Sequence, residues 1–407
     1  MALIGSFENL YEDYSADLTT NILNKPRDAI SEKFQSKLLK FKNEKLYMLT
    51  TEMQKDIFYD GTVYTGSAGL ALYYIMDALR NDNNPETLKT ALEYINIENL
   101  KGRKISFLCG DAGPLALATV ISYKLGSKRP EKTLPDYKTL AQRLMSLSSL
   151  LQESPDELLY GKSGYLFSLL FVNKHISGKE VIPAKHIEKV ITSILKSGKQ
   201  YSAAMKCSSP LLWHWHEKVY FGGAHGMAGI LYMLLQARIF INVVEIRTFV
   251  KPAIDWLLSQ RFPSGNFPSS MGSASGDKLV QWCHGAPGFV PLCILAYQTF
   301  EEDKYMKIAL QCGDLIWKRG LCTKGYSICH GVSGNAYAFI QLYQATKNPM
   351  YLYQACCFME WCAVERSGTE LHHPDRPASL FEGLVGRLYL ADDITRVSDA
   401  KFPAFTV

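Results

Sequence analysis

The chain has 407 residues, of which 47% are hydrophobic and 20% charged, with a net charge of +5. That composition excludes an intrinsically disordered chain, and the absence of any long block of Lys and Arg argues against nucleic acid as a partner. No run of about 18 uncharged apolar residues occurs, so no transmembrane helix is expected.

The opening stretch MALIGSFENLYEDYSADL is acidic and lacks a long apolar core, so neither a secretory signal nor a myristoylation signal is expected. Ten cysteines without such a signal point to a reducing compartment. Their expected roles are metal ligation, reactivity or core packing rather than disulfides. A cytoplasmic location follows, with peripheral association at the plasma membrane and a nuclear fraction both compatible with it.

Two kinds of helical segment alternate along the chain. The first is amphipathic, AISEKFQSKLLKFKNEKLYMLTTEMQKDI from Ala29. Next comes an apolar run headed by Gly-x-x-Gly, GSAGLALYYIMDAL at Gly66. Then PETLKTALEYINIENL is followed by GDAGPLALATVISYKL at Gly110, and YKTLAQRLMSLSSLLQE by GKSGYLFSLLFVNKHI at Gly161. AKHIEKVITSILKS precedes GMAGILYMLLQARIF at Gly226, and VKPAIDWLLSQRF precedes GAPGFVPLCILAYQTF at Gly285. KYMKIALQCGDLIWKRG leads to GVSGNAYAFIQLYQATK at Gly331, and MYLYQACCFMEWCAVE to GLVGRLYLADDI at Gly383. The leading glycines stand 44 to 65 residues apart.

Seven recurrences of this kind indicate a repeat architecture. An apolar helix must be surrounded to be stable. Seven apolar helices inside seven amphipathic ones predict an all-α fold, an (α/α)7 toroid, with an open α-solenoid as the alternative. The toroid makes residues 1–407 one domain, with 1–27 as an N-terminal extension.

If the repeats are equivalent, so are the residues in front of the leading glycines: Thr65, Cys109, Tyr160, His225, His284, His330 and Glu382. Core packing does not require three histidines and a glutamate at equivalent positions. The word Cys-His-Gly occurs twice, at Cys283–His284 and at Cys329–His330, one repeat apart. Thiolates and imidazoles in that set suit zinc. Four ligands would close the site, three would leave a position for a substrate, and two unreactive buried cysteines are the alternative; spacing does not choose. The aromatic stretch PLLWHWHEKVYFGG, with Trp213, His214, Trp215 and His216, either covers a site or packs on the rim, and no catalytic role is assigned to it. Cys356 and Cys357 read as core.

The words FLCGDAGPLA, GGAHGMAGI, WCHGAPG, GYSICHGVSGNAYAF, SLFEGLVG and the terminal FPAF resemble the lanthionine synthetase C-like family, in its eukaryotic branch, along nearly the whole chain. The resemblance implies the α/α toroid and one zinc per chain held by Cys283, Cys329 and His330. It also implies that His284 is a rim residue near the open coordination position rather than a ligand, and that His225 is the proton donor or acceptor. Asp111 and Trp282 fall on family motifs, Asp111 as a catalytic candidate and Trp282 on the substrate side. The family implies a transferase that adds the glutathione thiol to dehydroalanine or dehydrobutyrine in proteins or peptides, and that also eliminates phosphate from phosphoserine or phosphothreonine, with phosphorylated proteins including kinases as partners. Lys324 fits the expected glutathione lysine. An expected arginine near the N-terminus is missing, the first basic residues being Lys25 and Arg27. His372 stands where a second arginine is expected, with Arg376 or Arg387 as compensating candidates. Two alternatives stand beside the transferase: a non-catalytic zinc- and glutathione-binding adaptor, and a thioether-forming peptide cyclase.

Overall fold

The structure, a computed structural model, describes residues 5–130, 134–176, 178, 180–274, 276–366 and 371–407. Among them there is no strand, only three isolated bridges, and no helix is long and apolar enough to cross a membrane.

Fourteen helices carry the repeat. The amphipathic set is α1 (Glu32–Thr51), α3 (Pro85–Glu93), α5 (Tyr137–Ser146), α7 (Ala184–Ala204), α9 (Lys251–Ser259), α11 (Asp303–Arg319) and α13 (Pro349–Ala363). The glycine-headed set is α2 (Ser67–Arg80), α4 (Ala112–Leu125), α6 (Lys162–His175), α8 (Met227–Gln236), α10 (Val290–Phe300), α12 (Val332–Thr346) and α14 (Leu384–Thr395). Burial separates the two sets. In α4, 12 of 14 residues are buried, and in α6, 11 of 14. In α7 only seven of 21 are, and Ile187, Val190, Ile191, Ile194, Leu195, Gly198 and Ser202 form one stripe.

The helices fall into two compact units. One comprises residues 1–56, 221–224 and 259–406, and in it α14 packs on α1, α12 and α13, and α10 on α11 and α12. The other comprises 57–220, 225–258 and Val407, and in it α2 packs on α3 and α4, α4 on α5 and α6, and α6 on α7 and α8.

The expectation for α13 needs correction. Its sequence suggests an amphipathic helix with one free face, yet 11 of its 15 residues are buried. Part of the cover comes from the segment expected to be a mere N-terminal extension. Tyr353 donates its hydroxyl to the Glu12 carbonyl, Tyr14 packs edge-on against Tyr353, and Phe7 lies against Trp361. The same arm is fixed to α11, where the Asn9 amide donates to the Trp317 carbonyl and the Trp317 indole to Asp13. An apolar face without a helix to cover it is buried by extended chain instead.

The glycine pairs have a steric cause. Before six of the seven glycine-headed helices the chain doubles back, so that an amide at the helix start meets a carbonyl seven residues upstream, and ahead of α10 the Ala286 amide donates to the Asn266 side chain instead. Lys162 N–H donates to Pro155 O at 2.8 Å, Met227 to Tyr220 at 2.9 Å, Val332 to Gly325 at 2.8 Å and Leu384 to Pro377 at 2.7 Å. This satisfies a donor that side-chain caps satisfy elsewhere, as Asp136 does for α5. The returning chain lies so close that a Cβ on Gly161 would sit 2.2 Å from Pro155 O, and one on Gly334 2.0 Å from Ile328 O. Gly161 has φ −118°, open to any residue, so close approach rather than backbone freedom demands glycine there.

Backbone bonds then lace consecutive returns together within each unit. Tyr64 N–H donates to Leu108 O and Cys109 to Leu159 O in one unit; Cys283 donates to Cys329 O and Cys329 to Phe381 O in the other. This lacing makes neighbours of residues 46 positions apart in sequence.

Candidate metal centre and proton-transfer site

Cys283, Cys329 and His330 offer two sulfurs and a ring nitrogen that all lie within 4.8 Å of one another. The bond from Cys283 N–H to Cys329 O, at 3.2 Å, sets the two cysteines side by side. His330 N–H donates to Ser327 Oγ, fixing the turn that presents its ring. Both cysteines are buried. Burial, together with the neighbouring Cys329 sulfur, pushes the Cys283 thiol well above its usual range. Burial depresses His330, but its hydrogen bond to Cys329 and the charges of Cys329 and Glu382 more than offset this and raise it.

Two thiols and an imidazole crowded in a low-dielectric pocket hold their protons unless a cation replaces them. The donor set is the nitrogen–sulfur set that zinc takes in tetrahedral geometry, so these residues fit a zinc ion. The Gln281 amide, 3.2 Å from Cys283 Sγ, donates to that sulfur and would stabilise its charged form. Sequence reasoning missed Gln281, because nothing in an amide two residues before a cysteine signals its aim. His284 lies outside the ligand-range set; its backbone closes a tight turn with Gln281.

Around the cluster, in the same unit, lies a charged rim. Lys324 and His372 are exposed and Arg376 is half-buried. The His372 ring centre is 6.3 Å from that of His330, and burial with the charges of Lys324 and His330 lowers its pKa. Arg376 donates to the Asp375 carbonyl. Burial raises the Glu382 carboxyl, with His330 pulling the other way.

Two expected binding residues serve the core instead. Trp282 is 0% exposed, stacked on Phe402 at 5.0 Å and edge-on to Phe405 at 5.2 Å. It anchors the terminal FPAF beneath the Cys283 turn and has no surface for a substrate. Arg387 is buried, donates to Cys362 O and Glu365, and lies over the Tyr326 ring. It therefore cannot stand in for a missing glutathione arginine.

The second candidate group lies in the other unit. His225 Nδ1 is 2.7 Å from Glu157 Oε2. The Glu157 carboxylate also accepts from the Leu159 amide at 2.9 Å and the Tyr160 amide at 2.6 Å. A carboxylate held by two amides accepts again from the imidazole, so Nδ1 donates and Nε2 is directed elsewhere. Glu157 is 2% exposed, which keeps the pair dry on its inner side. No other repeat carries an acid at this point, so the repeat pattern gave no signal for Glu157. Asp111 has a different engagement. Its carboxylate accepts from the Gly102 amide at 2.6 Å and closes the loop 102–111, at a cavity of about 570 Å³ lined also by Lys101, Arg103 and Lys104.

Comparison with known proteins shows the family. A family model described as lanthionine synthetase C-like protein matches residues 57–407. Glutathione S-transferase LANCL1 of Danio rerio is 39% identical over 411 residues, covering 99% of each chain. LanC-like protein GCL1 of Arabidopsis thaliana is 32% identical over 366 residues, covering 86% of this chain and 82% of its own. Among solved structures, nisin cyclase matches with a TM-score of 0.64 at 17% identity, over 86% of this chain and 93% of its own. That likeness shows the fold alone, and the fold it shows is the all-α (α/α)7 toroid expected from the repeats. The chain belongs to the lanthionine synthetase C-like family.

Proposed function

We propose that this chain is a zinc-dependent glutathione transferase that joins the glutathione thiol to dehydroalanine or dehydrobutyrine residues of proteins and peptides. The observation that carries it is the Cys283–Cys329–His330 cluster in a chain 39% identical, end to end, to a glutathione S-transferase. Cys283, Cys329 and His330 would hold one zinc. When bound, that ion supplies the positive charge that keeps a substrate thiol deprotonated near neutral pH.

The remaining roles fall to the chain's own groups. Sulfur bonds to the β-carbon of the unsaturated residue, the π electrons move toward the α-carbon and carbonyl, and a proton must arrive at the α-carbon. His225 delivers it from Nε2, and Glu157 holds the ring in the required tautomer and supports its charge. Lys324 and Arg376 supply positive charge for the two carboxylates of glutathione, and His372, its pKa lowered, offers them a neutral ring N–H; His284 stands at the rim. Asp111 acts by shaping the loop that carries Lys101, Arg103 and Lys104. In reverse, His225 takes the α-proton of a phosphoserine or phosphothreonine as phosphate leaves, which generates the acceptor and makes phosphorylated proteins, kinases among them, a second substrate class. A reducing, cytoplasmic location fits ten cysteines and a thiol co-substrate.

The test is incubation of the purified protein with glutathione and a dehydroalanine peptide, read by mass spectrometry. An adduct that disappears in Cys329→Ala is the expected result. Glutathione binding without any adduct would overturn the transferase in favour of an adaptor.

A further inference from the structure

One stretch of backbone beside His225 departs from ordinary preference. Trp215 and Lys218 exchange backbone hydrogen bonds, Trp215 N–H to Lys218 O at 2.8 Å and Lys218 N–H to Trp215 O at 3.1 Å. The two residues between them, His216 and Glu217, both take left-handed conformations, with φ 44° and 60°. A two-residue turn of this hand is normally made by Asn-Gly or Gly-Gly, because a Cβ is crowded there. Strain kept at such a place is a pointer to function. The His216 and Glu217 side chains are exposed, so core packing does not account for them.

What the turn does hold in place is the Trp215 ring. It lies 5.7 Å from the Tyr160 ring at 21° and 6.1 Å from the His225 ring at 16°. Tyr160 and His225 are themselves 6.0 Å apart and within 6° of parallel. Tyr160 is 36% exposed and Trp215 half-buried. Two rings nearly parallel to it, Tyr160 and Trp215, therefore lie beside the imidazole that Glu157 orients, both with surface to offer.

We propose that Trp215 and Tyr160 form a flat wall that recognises the planarity of the acceptor, making Trp215 a specificity-determining residue. The proposal rests on dehydroamino acids being substrates. A dehydroalanine has a trigonal α-carbon conjugated with its neighbouring amides, so the unit is flat and can lie against aromatic faces. Addition of sulfur at the β-carbon and a proton at the α-carbon makes that carbon tetrahedral, and the product no longer lies flush. Such a wall favours substrate over product and over ordinary saturated sequence, and assists release after the proton transfer.

The experiment omits glutathione, so that no transfer occurs, and measures calorimetrically the binding of a dehydroalanine peptide and of the same peptide carrying alanine. The wild-type chain should prefer the dehydroalanine peptide by about five- to tenfold. Trp215→Leu, apolar but not planar, should abolish the preference, whereas Trp215→Phe should retain most of it. Zinc content and melting temperature establish that each variant is folded. Equal binding of the two peptides by the wild type, or an undiminished preference in folded Trp215→Leu, would overturn the wall. Because no thiol is present, a preference that depends on Trp215 supports the wall even if glutathione proves not to be the co-substrate.

Discussion

The two units write one backbone device with two chemistries. In one, Lys162 N–H meets Pro155 O and a Cβ on Gly164 would lie 2.2 Å from Leu158 O; in the other, Val332 N–H meets Gly325 O and a Cβ on Gly334 would lie 2.0 Å from Ile328 O. The residues presented just before the leading glycines have only histidine in common. The first unit shows Thr65, Cys109, Tyr160 and His225, and gathers an imidazole, a carboxylate and aromatic rings. The second shows His284, His330 and Glu382, and gathers thiols and an imidazole. The repeat backbone thus fixes where a side chain is displayed, and local side-chain choice fixes what is done there. Changes of side chain should then leave the device intact, and changes of glycine should damage both units alike.

The largest effect should come from the thiol cluster. Cys329→Ala leaves two of three ligands, and loss of zinc with a fall in thiol transfer of about a thousandfold or more is expected. Metal analysis alongside adduct formation checks it; full zinc occupancy in the variant would contradict the ligand assignment. His225→Ala should retain zinc and lose about 10²–10⁴-fold in turnover. If it lost zinc as well, the separation of the two chemistries would be wrong.

Acid should distinguish the same two regions. Burial holds the Cys283 thiol protonated in the absence of metal, so zinc must displace protons, and its affinity falls as pH falls. Zinc release titrated with a chromogenic chelator should rise steadily on acidification, and in His225→Ala the release curve should coincide with that of the wild type.

The glycines supply a prediction of opposite kind. Gly164→Ala and Gly334→Ala each force a methyl group against a carbonyl with no flexible side chain to yield. Each should cost on the order of 3 kcal/mol, by analogy with overpacked cores. Urea midpoints that fell in one variant only would show that the units do not share the device.

The sequence made much of this legible for physical reasons. The alternation of glycine-headed apolar runs with amphipathic helices is a property of periodicity, and it located all fourteen helices. The doubled Cys-His-Gly marked the Cys283–Cys329–His330 cluster because thiols and imidazoles carry their chemistry in their identity. Glu157 and Gln281 were not legible. Each matters through one hydrogen bond to a residue placed by the fold, at 2.7 Å to His225 and 3.2 Å to Cys283, and an isolated acid or amide in sequence carries no aim. Trp282 misled for the converse reason: a motif position beside a ligand can serve the ligand from beneath. The cover of α13 by the N-terminal arm was hidden because extended chain has no period to detect.

The smallest expected effects concern two carboxylate–cation pairs, one in each unit, whose pH signs should oppose. Asp277 is held by Arg319 at 3.0 Å, Ser264 at 2.5 Å and Asn266 at 2.7 Å, and so steadies the segment leading to Cys283. Burial would raise its carboxyl, but these hydrogen bonds and the Arg319 charge carry it below the usual range. Its contribution is therefore present above the unfolded carboxylate value, near pH 4, and is lost as pH falls through the lower folded value. Asp156 pairs with Lys162 at 2.9 Å and Ser197 at 2.7 Å. There burial dominates and raises the carboxyl despite the lysine. Its contribution is complete below the unfolded value and is lost as pH rises through the folded one. Asp277→Asn should thus flatten the acid side of the stability curve, by about 1 kcal/mol or less for so accessible a pair. Asp156→Asn should instead remove a decline that sets in above pH 4, superposed on a constant loss from stranding Lys162. Unfolding free energies measured across pH 3–7 separate the slopes from that constant loss. If both variants changed the slope in the same direction, burial would not be what distinguishes these two carboxylates.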